Sequence, residues 1–316
     1  MEYEKWLDKW LELYIKPSVK FRTYQKYESS IRLYILPRLG HYEMKDIDSL
    51  KLQEFSVELS RSGNTRTGGG LAAITVGQIV AIVQKSLKKA VSVDMTDGYR
   101  ADGIEIPRAE KANVECFTES EQKKIERYIL EKNNTRLYGI LLTLYSGLRI
   151  GELLSLEWSD VDMKSGIISV RKTCRDQWKD GVYIKVLDSP KTAASVRQIP
   201  LPKQILPIVR QMKKQSRSNY VVSGKSKETP LRSYQRTFEN ILQKINIPHR
   251  GFHSLRHTFA TRALERGMDV KTLSEILGHK NPSVTLNRYV HSLTPHKRAM
   301  MNKVGGLFLD IREIRK

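Results

Sequence analysis

Apolar residues recur at helical spacing along most of the first third of the chain. Tyr3, Trp6, Trp10, Leu13 and Tyr14 predict a helix over residues 2–14. A second is predicted over about 23–36, where Tyr24, Tyr27, Ile31, Leu33 and Tyr34 offer apolar surface and Pro37 and Gly40 end it. A third spans about 48–60. The run SGNTRTGGG at 62–70 is polar and glycine-rich and lacks the Gly-Lys-Ser/Thr of a phosphate-binding loop, so it reads as a connector. Thr75 then has the chemistry of an N-cap for a fourth helix that buries Val76, Ile79, Ile82, Val83, Leu87 and Val91. Periodicity is lost over 93–116, where Asp, Gly and Pro collect as in a linker.

Beyond that linker the pattern changes twice. Thr118, with Gln122 close by, is expected to cap a helix over 119–131, followed by another over 135–146. Three β-rich runs come next, at 166–172, 182–187 and 196–200. Helical spacing returns over 202–215, 231–244, 254–266, 270–277 and 282–290. No strand–helix alternation and no internal repeat is visible. The expected fold is mainly α with a small antiparallel β-sheet, in two domains: 1–92, a linker at 93–116, 117–303, and a C-terminal tail at 304–316.

Charge sharpens this division. The chain has 316 residues and a net charge of +21, which implies a polyanionic partner such as nucleic acid. Residues 1–110 hold 17 Lys and Arg against 15 Asp and Glu, whereas 111–316 hold 38 against 19. The basic surplus therefore belongs to the second domain. Cys116 and Cys174 have neither disulfide-framework nor zinc spacing, so no metal site is expected. The charged N-terminus has no apolar signal core, and no stretch is long and apolar enough to span a membrane, so a cytoplasmic protein is expected.

The second domain also carries a set of residues suited to phosphoryl transfer. Arg149 lies in YSGLRIGEL (145–153), where glycines permit a tight junction between helices and Glu152 is placed to orient the arginine. Lys191 lies in SPKTAASVRQIPL (189–201), in a turn between β segments, and could protonate a leaving oxygen. His253 and Arg256, three apart in HSLRHTFAT (253–261), share one helix face. Arg256 offers a fork of donors to two phosphate oxygens, and His253 a hydrogen bond or a proton. In LGHKNPSVTLNRYVH (277–291), Gly278 suits a helix C-cap and Asn281-Pro282 the start of the next helix, with His279 between them and Tyr289 two turns on. A tyrosine has a pKa of about 10 and is a poor nucleophile unless neighbouring cations stabilise its phenolate. Taken singly, each of these residues reads as well as a surface or core-edge side chain. Taken together they describe a site that needs no metal.

The order and contexts of these six residues resemble the tyrosine recombinase (phage integrase) family, whose site runs Arg, Lys, His-x-x-Arg, His, Tyr. None of the six positions departs from it, LEWSDVD (156–162) is also similar, and residues 3–91 resemble, more loosely, the family's helical core-binding (SAM-like) domain. The resemblance implies a two-domain DNA clamp and a mobile-element integrase of phage or prokaryotic origin, acting at the nucleoid. It implies attack by Tyr289 on a scissile phosphate, a 3′-phosphotyrosyl intermediate and a free 5′-hydroxyl. Arg149, Arg256 and His279 would hold the phosphate, Lys191 would protonate the 5′-oxygen, and His253 would assist proton transfer. No cofactor is implied. The implied partners are double-stranded DNA, a homotetramer across two DNA sites, and accessory directionality or DNA-bending proteins. The apolar Leu307-Phe308-Leu309 of the tail would dock on its own domain or on a neighbouring subunit. The alternatives are a type IB-like topoisomerase and a catalytically silent DNA-binding regulator. An arm-binding domain of the kind many integrases carry is not seen in the sequence.

Overall fold

In the computed structural model, residues 1–97, 101–106, 115–179, 182–188, 196–223, 229–279, 281–289 and 301 are described. The chain separates into two compact units, Met1–Ala112 and Asn113–Lys316.

The first unit is helical: α1 (Tyr3–Trp10), α2 (Phe21–Ser30), α3 (Leu36–Leu39), α4 (Ser49–Ser62) and α5 (Ala73–Val91). Trp6, Leu7, Trp10, Ile31, Ile35, Leu52, Phe55, Val80 and Val83 form its core. The Trp6 indole N–H donates to Ser86 O at 3.0 Å, so the buried ring leaves no donor unpaired. The helices differ from the sequence expectation at their prolines. Wide π turns at Leu11–Ile15 and Ile31–Ile35 extend α1 and α2, with Lys16 N–H donating to Leu11 O and Leu36 N–H to Ile31 O. Each turn ends two residues before a proline, whose ring crowds the carbonyl four residues back in a regular helix. Pro37 therefore does not end its helix, which runs on to Leu39. The same change of phase leaves Leu13 and Leu33 exposed, and Leu11, Ile15, Ile31 and Ile35 take the core positions. Asp48 caps α4 by accepting from Lys51 N at 2.8 Å. Thr75 is not a cap: α5 begins two residues earlier, with Ala72 as the extended residue before it.

The segment expected to be a linker is, over 101–106, part of this unit. Ala101 is fully buried, Gln84 donates to its carbonyl at 2.9 Å, and the Gln53 side chain makes paired bonds to the Glu105 backbone.

The second unit starts with α6 (Glu119–Lys132), where Thr118 and Glu121 form a reciprocal capping box. The box partner is Glu121, one residue before the Gln122 expected from the sequence. Buried α7 (Thr135–Ser146) leads into the short α8 (Ile150–Ser155), which the sequence reading missed. Two antiparallel sheets follow among the described residues, rather than one. β1 (Val161–Asp162), β2 (Ile167–Val170) and β5 (Arg197–Pro200) pair in the order β1-β2-β5. β3 (Thr173–Lys179) and β4 (Val182–Asp188) form a separate hairpin. β3 was missed because TCRDQWK has little β-branched or alternating character; its pairing with β4 defines it. The hairpin is fastened to α8: Cys174 Sγ donates to Gly151 O, Ser155 Oγ to Lys172 O, and Lys185 Nζ to Leu154 O.

Helices α9 (Leu206–Gln215), α10 (Leu231–Lys244), α11 (His253–Glu265), α12 (Val270–Leu277) and α13 (Pro282–Tyr289) complete the unit. Among the described residues no helix is long and apolar enough to cross a membrane.

Candidate functional site

Two left-handed glycines make the turns on which the site is built. Gly147 closes α7 with φ +66°, and a Cβ there would meet Phe259 Cδ1 at 2.6 Å and Leu277 Cδ2 at 2.8 Å. Only glycine lets the end of α7 sit against α11 and α12. Gly278 closes α12 with φ +64° and turns the chain into His279, whose N–H donates to Ser274 O at 3.0 Å.

Arg149 is the extended residue before α8. Its N–H donates to Glu152 Oε2 at 2.9 Å and its Nη1 to Glu152 Oε1 at 2.8 Å. Its Nη2 reaches toward Gly278 O at 3.5 Å. Glu152 thus fixes both backbone and side chain of the arginine, while the Arg149 side chain stays 36% exposed. Burial acts to raise the Glu152 carboxyl, but a second guanidinium, Arg197, and the charge of Arg149 hold it down at about 2.

Arg256 is among the largest fully buried side chains, at 1% exposure. Its Nη1 donates to Gly147 O at 2.8 Å and its Nη2 to Leu277 O at 2.6 Å. The cation therefore rests on carbonyls at the C-terminal ends of α7 and α12, where helix dipoles favour positive charge. Its Nη2 also lies 3.0 Å from His279 Nε2. A guanidinium cannot accept, so Nε2 must be the acceptor. The ring proton of a neutral His279 then resides on Nδ1, which is 2.7 Å from Thr285 Oγ1 on α13.

Arg149, Glu152, Arg256 and His279 are thus brought together around the end of α12. His253 opens α11 three residues before Arg256; it is exposed, with its ring 4.5 Å from that of His257. Tyr289 is the last residue of α13, one helical turn beyond Thr285, and its side chain lies outside the described residues. Lys191 and the tail at 304–316 also lie outside them. Two participants escaped the sequence reading. Arg197 shares a strand face with buried Ile199, and an arginine in an inward register is a signal of a buried partner. Thr285, fully buried, gave no such signal.

The phage integrase family profile matches residues 115–296, and the N-terminal SAM-like domain profile of phage integrases matches residues 2–60. A "tyrosine recombinase XerC-like" protein of Caldanaerobacter subterraneus is 28% identical over 95% of this chain and 82% of its own length. Tyrosine recombinase XerA of Pyrococcus horikoshii is 30% identical over 70% of this chain and 72% of its own. The transposase of transposon Tn916 from Enterococcus faecalis is 24% identical over 93% and 76%. Among solved structures, the Tn1549 transposon integrase in complex with a circular intermediate DNA superposes with TM-score 0.80 at 22% identity, over 96% of this chain and 99% of that one. A lambda integrase tetramer bound to a Holliday junction superposes with TM-score 0.68 at 18% identity, over 90% and 79%.

Proposed function

This chain belongs to the phage integrase family, and on that premise we propose the residues with which it works as a site-specific DNA recombinase. The recombinase is of the tyrosine, mobile-element type. The relatives it matches are recombinases, integrases and transposases by name, and none favours the topoisomerase or regulator alternative.

The observation that carries the assignment of residues is the meeting of Arg149, Arg256 and His279, the first and last of them 130 positions apart in the sequence, at one helix end. Two guanidiniums there suit the non-bridging oxygens of a phosphodiester, and His279 would join them as the Nε2–H tautomer or the imidazolium, its contact with Arg256 exchanged for the phosphate. Tyr289 Oη attacks phosphorus as its proton passes to His253 or to water. The bond to the 5′-oxygen breaks, and Lys191 supplies the proton that this oxygen needs. The phosphotyrosyl bond keeps the energy of the phosphodiester, so the 5′-hydroxyl of a partner strand can reverse the step and exchange strands.

The partner is double-stranded DNA, held mainly by the basic second unit. The assembly is a homotetramer on two DNA sites, with directionality or DNA-bending proteins as accessories. It works in the cytoplasm of a prokaryotic host, where the nucleoid is. The test is trapping on nicked duplexes carrying candidate sites, read on a denaturing gel. A covalent adduct is expected, lost in Tyr289→Phe while binding persists. A Tyr289→Phe protein that still forms the adduct refutes the nucleophile.

A further inference from the structure

We propose that Arg197 is a positioning residue of the recombinase site, a buried strut that holds Glu152 and thereby leaves the Arg149 fork aimed and charged for the scissile phosphate. The proposal rests on the assignment of Arg149 to phosphate binding.

The geometry is that of a hub. Arg197 Nη1 donates to Glu152 Oε1 at 3.1 Å and Nη2 to Oε2 at 2.8 Å, a two-point pair between groups that are each 6% exposed. Its Nε donates to Ile276 O at 2.5 Å, in the last turn of α12 and three residues before His279. One side chain thus ties β5, the start of α8 and the end of α12. Arg149 reaches the same carboxylate through Oε1, which both guanidiniums share.

Stability alone gives a weak reason for this arrangement. Burying the Arg197–Glu152 pair costs desolvation, and apolar residues of similar volume commonly serve as well or better. The arrangement does settle a charge and an orientation. With Glu152 alone beside it, Arg149 would be a neutralised ion pair, free to turn its whole fork onto the carboxylate. With Arg197 occupying both oxygens, Glu152 is already compensated. The trio carries a net positive charge, and that charge sits on its most open member, Arg149. Among the described residues the charged groups facing Glu152 are Arg149 on its own element and Arg197 from β5; α12 contributes the Ile276 carbonyl to Arg197.

The experiment is single-turnover cleavage of a nicked suicide duplex at saturating protein, with DNA affinity measured in parallel, for Arg197→Met, Arg197→Lys, Arg197→Met/Glu152→Gln and Arg149→Ala. Arg197→Met should slow cleavage about 100-fold, the scale of a small misplacement of a reacting group. Affinity should change little. The deficit should shrink as pH falls from about 7 to about 5, because a buried carboxylate that loses its main partner takes up a proton and no longer neutralises Arg149. Wild-type cleavage should show no such added limb, and Glu152→Gln in the Arg197→Met background should abolish it. Arg197→Lys keeps the charge but not the two-point fork, and should fall between the two. If Arg197→Met does not fold, the lysine variant carries the same test in weaker form. A deficit that is uniform across pH, or a limb that survives Glu152→Gln, reduces Arg197 to packing and overturns the proposal. Normal cleavage by Arg149→Ala overturns the phosphate-binding assignment itself, whatever the Arg197 variants do.

Discussion

Glu152 keeps its charge in a nearly dry place because two guanidiniums meet it, and this has a thermodynamic consequence. Its folded pKa, about 2, lies below the ordinary 4.5. A depressed carboxyl stabilises the fold fully above the unfolded value and loses that contribution as pH falls through the folded one. The shift corresponds to a contribution on the order of 3 kcal/mol at neutral pH. Glu152→Gln should therefore lower the thermal midpoint clearly at about pH 7, and its deficit should shrink between about pH 4.5 and pH 3. Thermal melts of both proteins across that range check it, and a deficit independent of pH would argue against the ion pair as its source. At this scale much of the site was legible. Arg149, Glu152, Arg256 and His279 stood in motifs whose glycines foretold the turns that now hold them. Arg197 was hidden in a run read only for β character, although an acid on the apolar helix IGELLS already called for a buried partner.

Elements were legible where periodicity alone decides, as in α10 and α12, whose expected limits match the structure. They were less so where a distant contact decides. The π turns of the first unit answer to Pro17 and Pro37, and their effect on helix phase is not visible in an apolar pattern. The hairpin β3–β4 exists because it is pinned at several points, one of which also builds a helix. Asp176 Oδ1 and Oδ2 accept the N–H groups of Leu231 and Arg232, each at 3.2 Å. A strand residue thereby caps α10, whose own preceding residue is Pro230 and offers no side-chain acceptor. Asp176→Ala should cost about 1 kcal/mol, the usual worth of a cap. Asp176→Asn, which keeps one acceptor oxygen, should cost less. The measurement is the denaturant midpoint at unchanged slope, and equal loss in both variants would assign the effect to the strand rather than to the cap.

At the scale of the whole molecule, charge separates the two units more sharply than secondary structure does. The second holds nearly all of the surplus, whereas in the first many cations are already matched: Lys5 with Glu2 at 2.9 Å, Lys16 with Glu12 at 2.6 Å, Arg38 with Glu58 at 2.7 Å. A matched cation has little left with which to displace counterions from DNA. Lys85 and Lys89 differ. They line a cleft with Trp10, Tyr14 and Ser18, and lie over the rings of Tyr27 and Tyr14 at 5.5 and 4.6 Å from the centroids, a contact that orients an ammonium without cancelling its charge. Each phosphate neutralised contributes about 0.9 to the slope of log affinity against log salt. Wild-type affinity should therefore fall steeply with salt, and Lys85→Gln/Lys89→Gln should flatten the slope by up to about 2. Lys5→Gln/Lys16→Gln removes the same formal charge from matched pairs and should leave the slope where it was. Filter-binding or anisotropy titrations over a range of salt distinguish the pairs. Equal slopes for all three proteins would leave phosphate neutralisation to the second unit alone, which its charge is sufficient to supply.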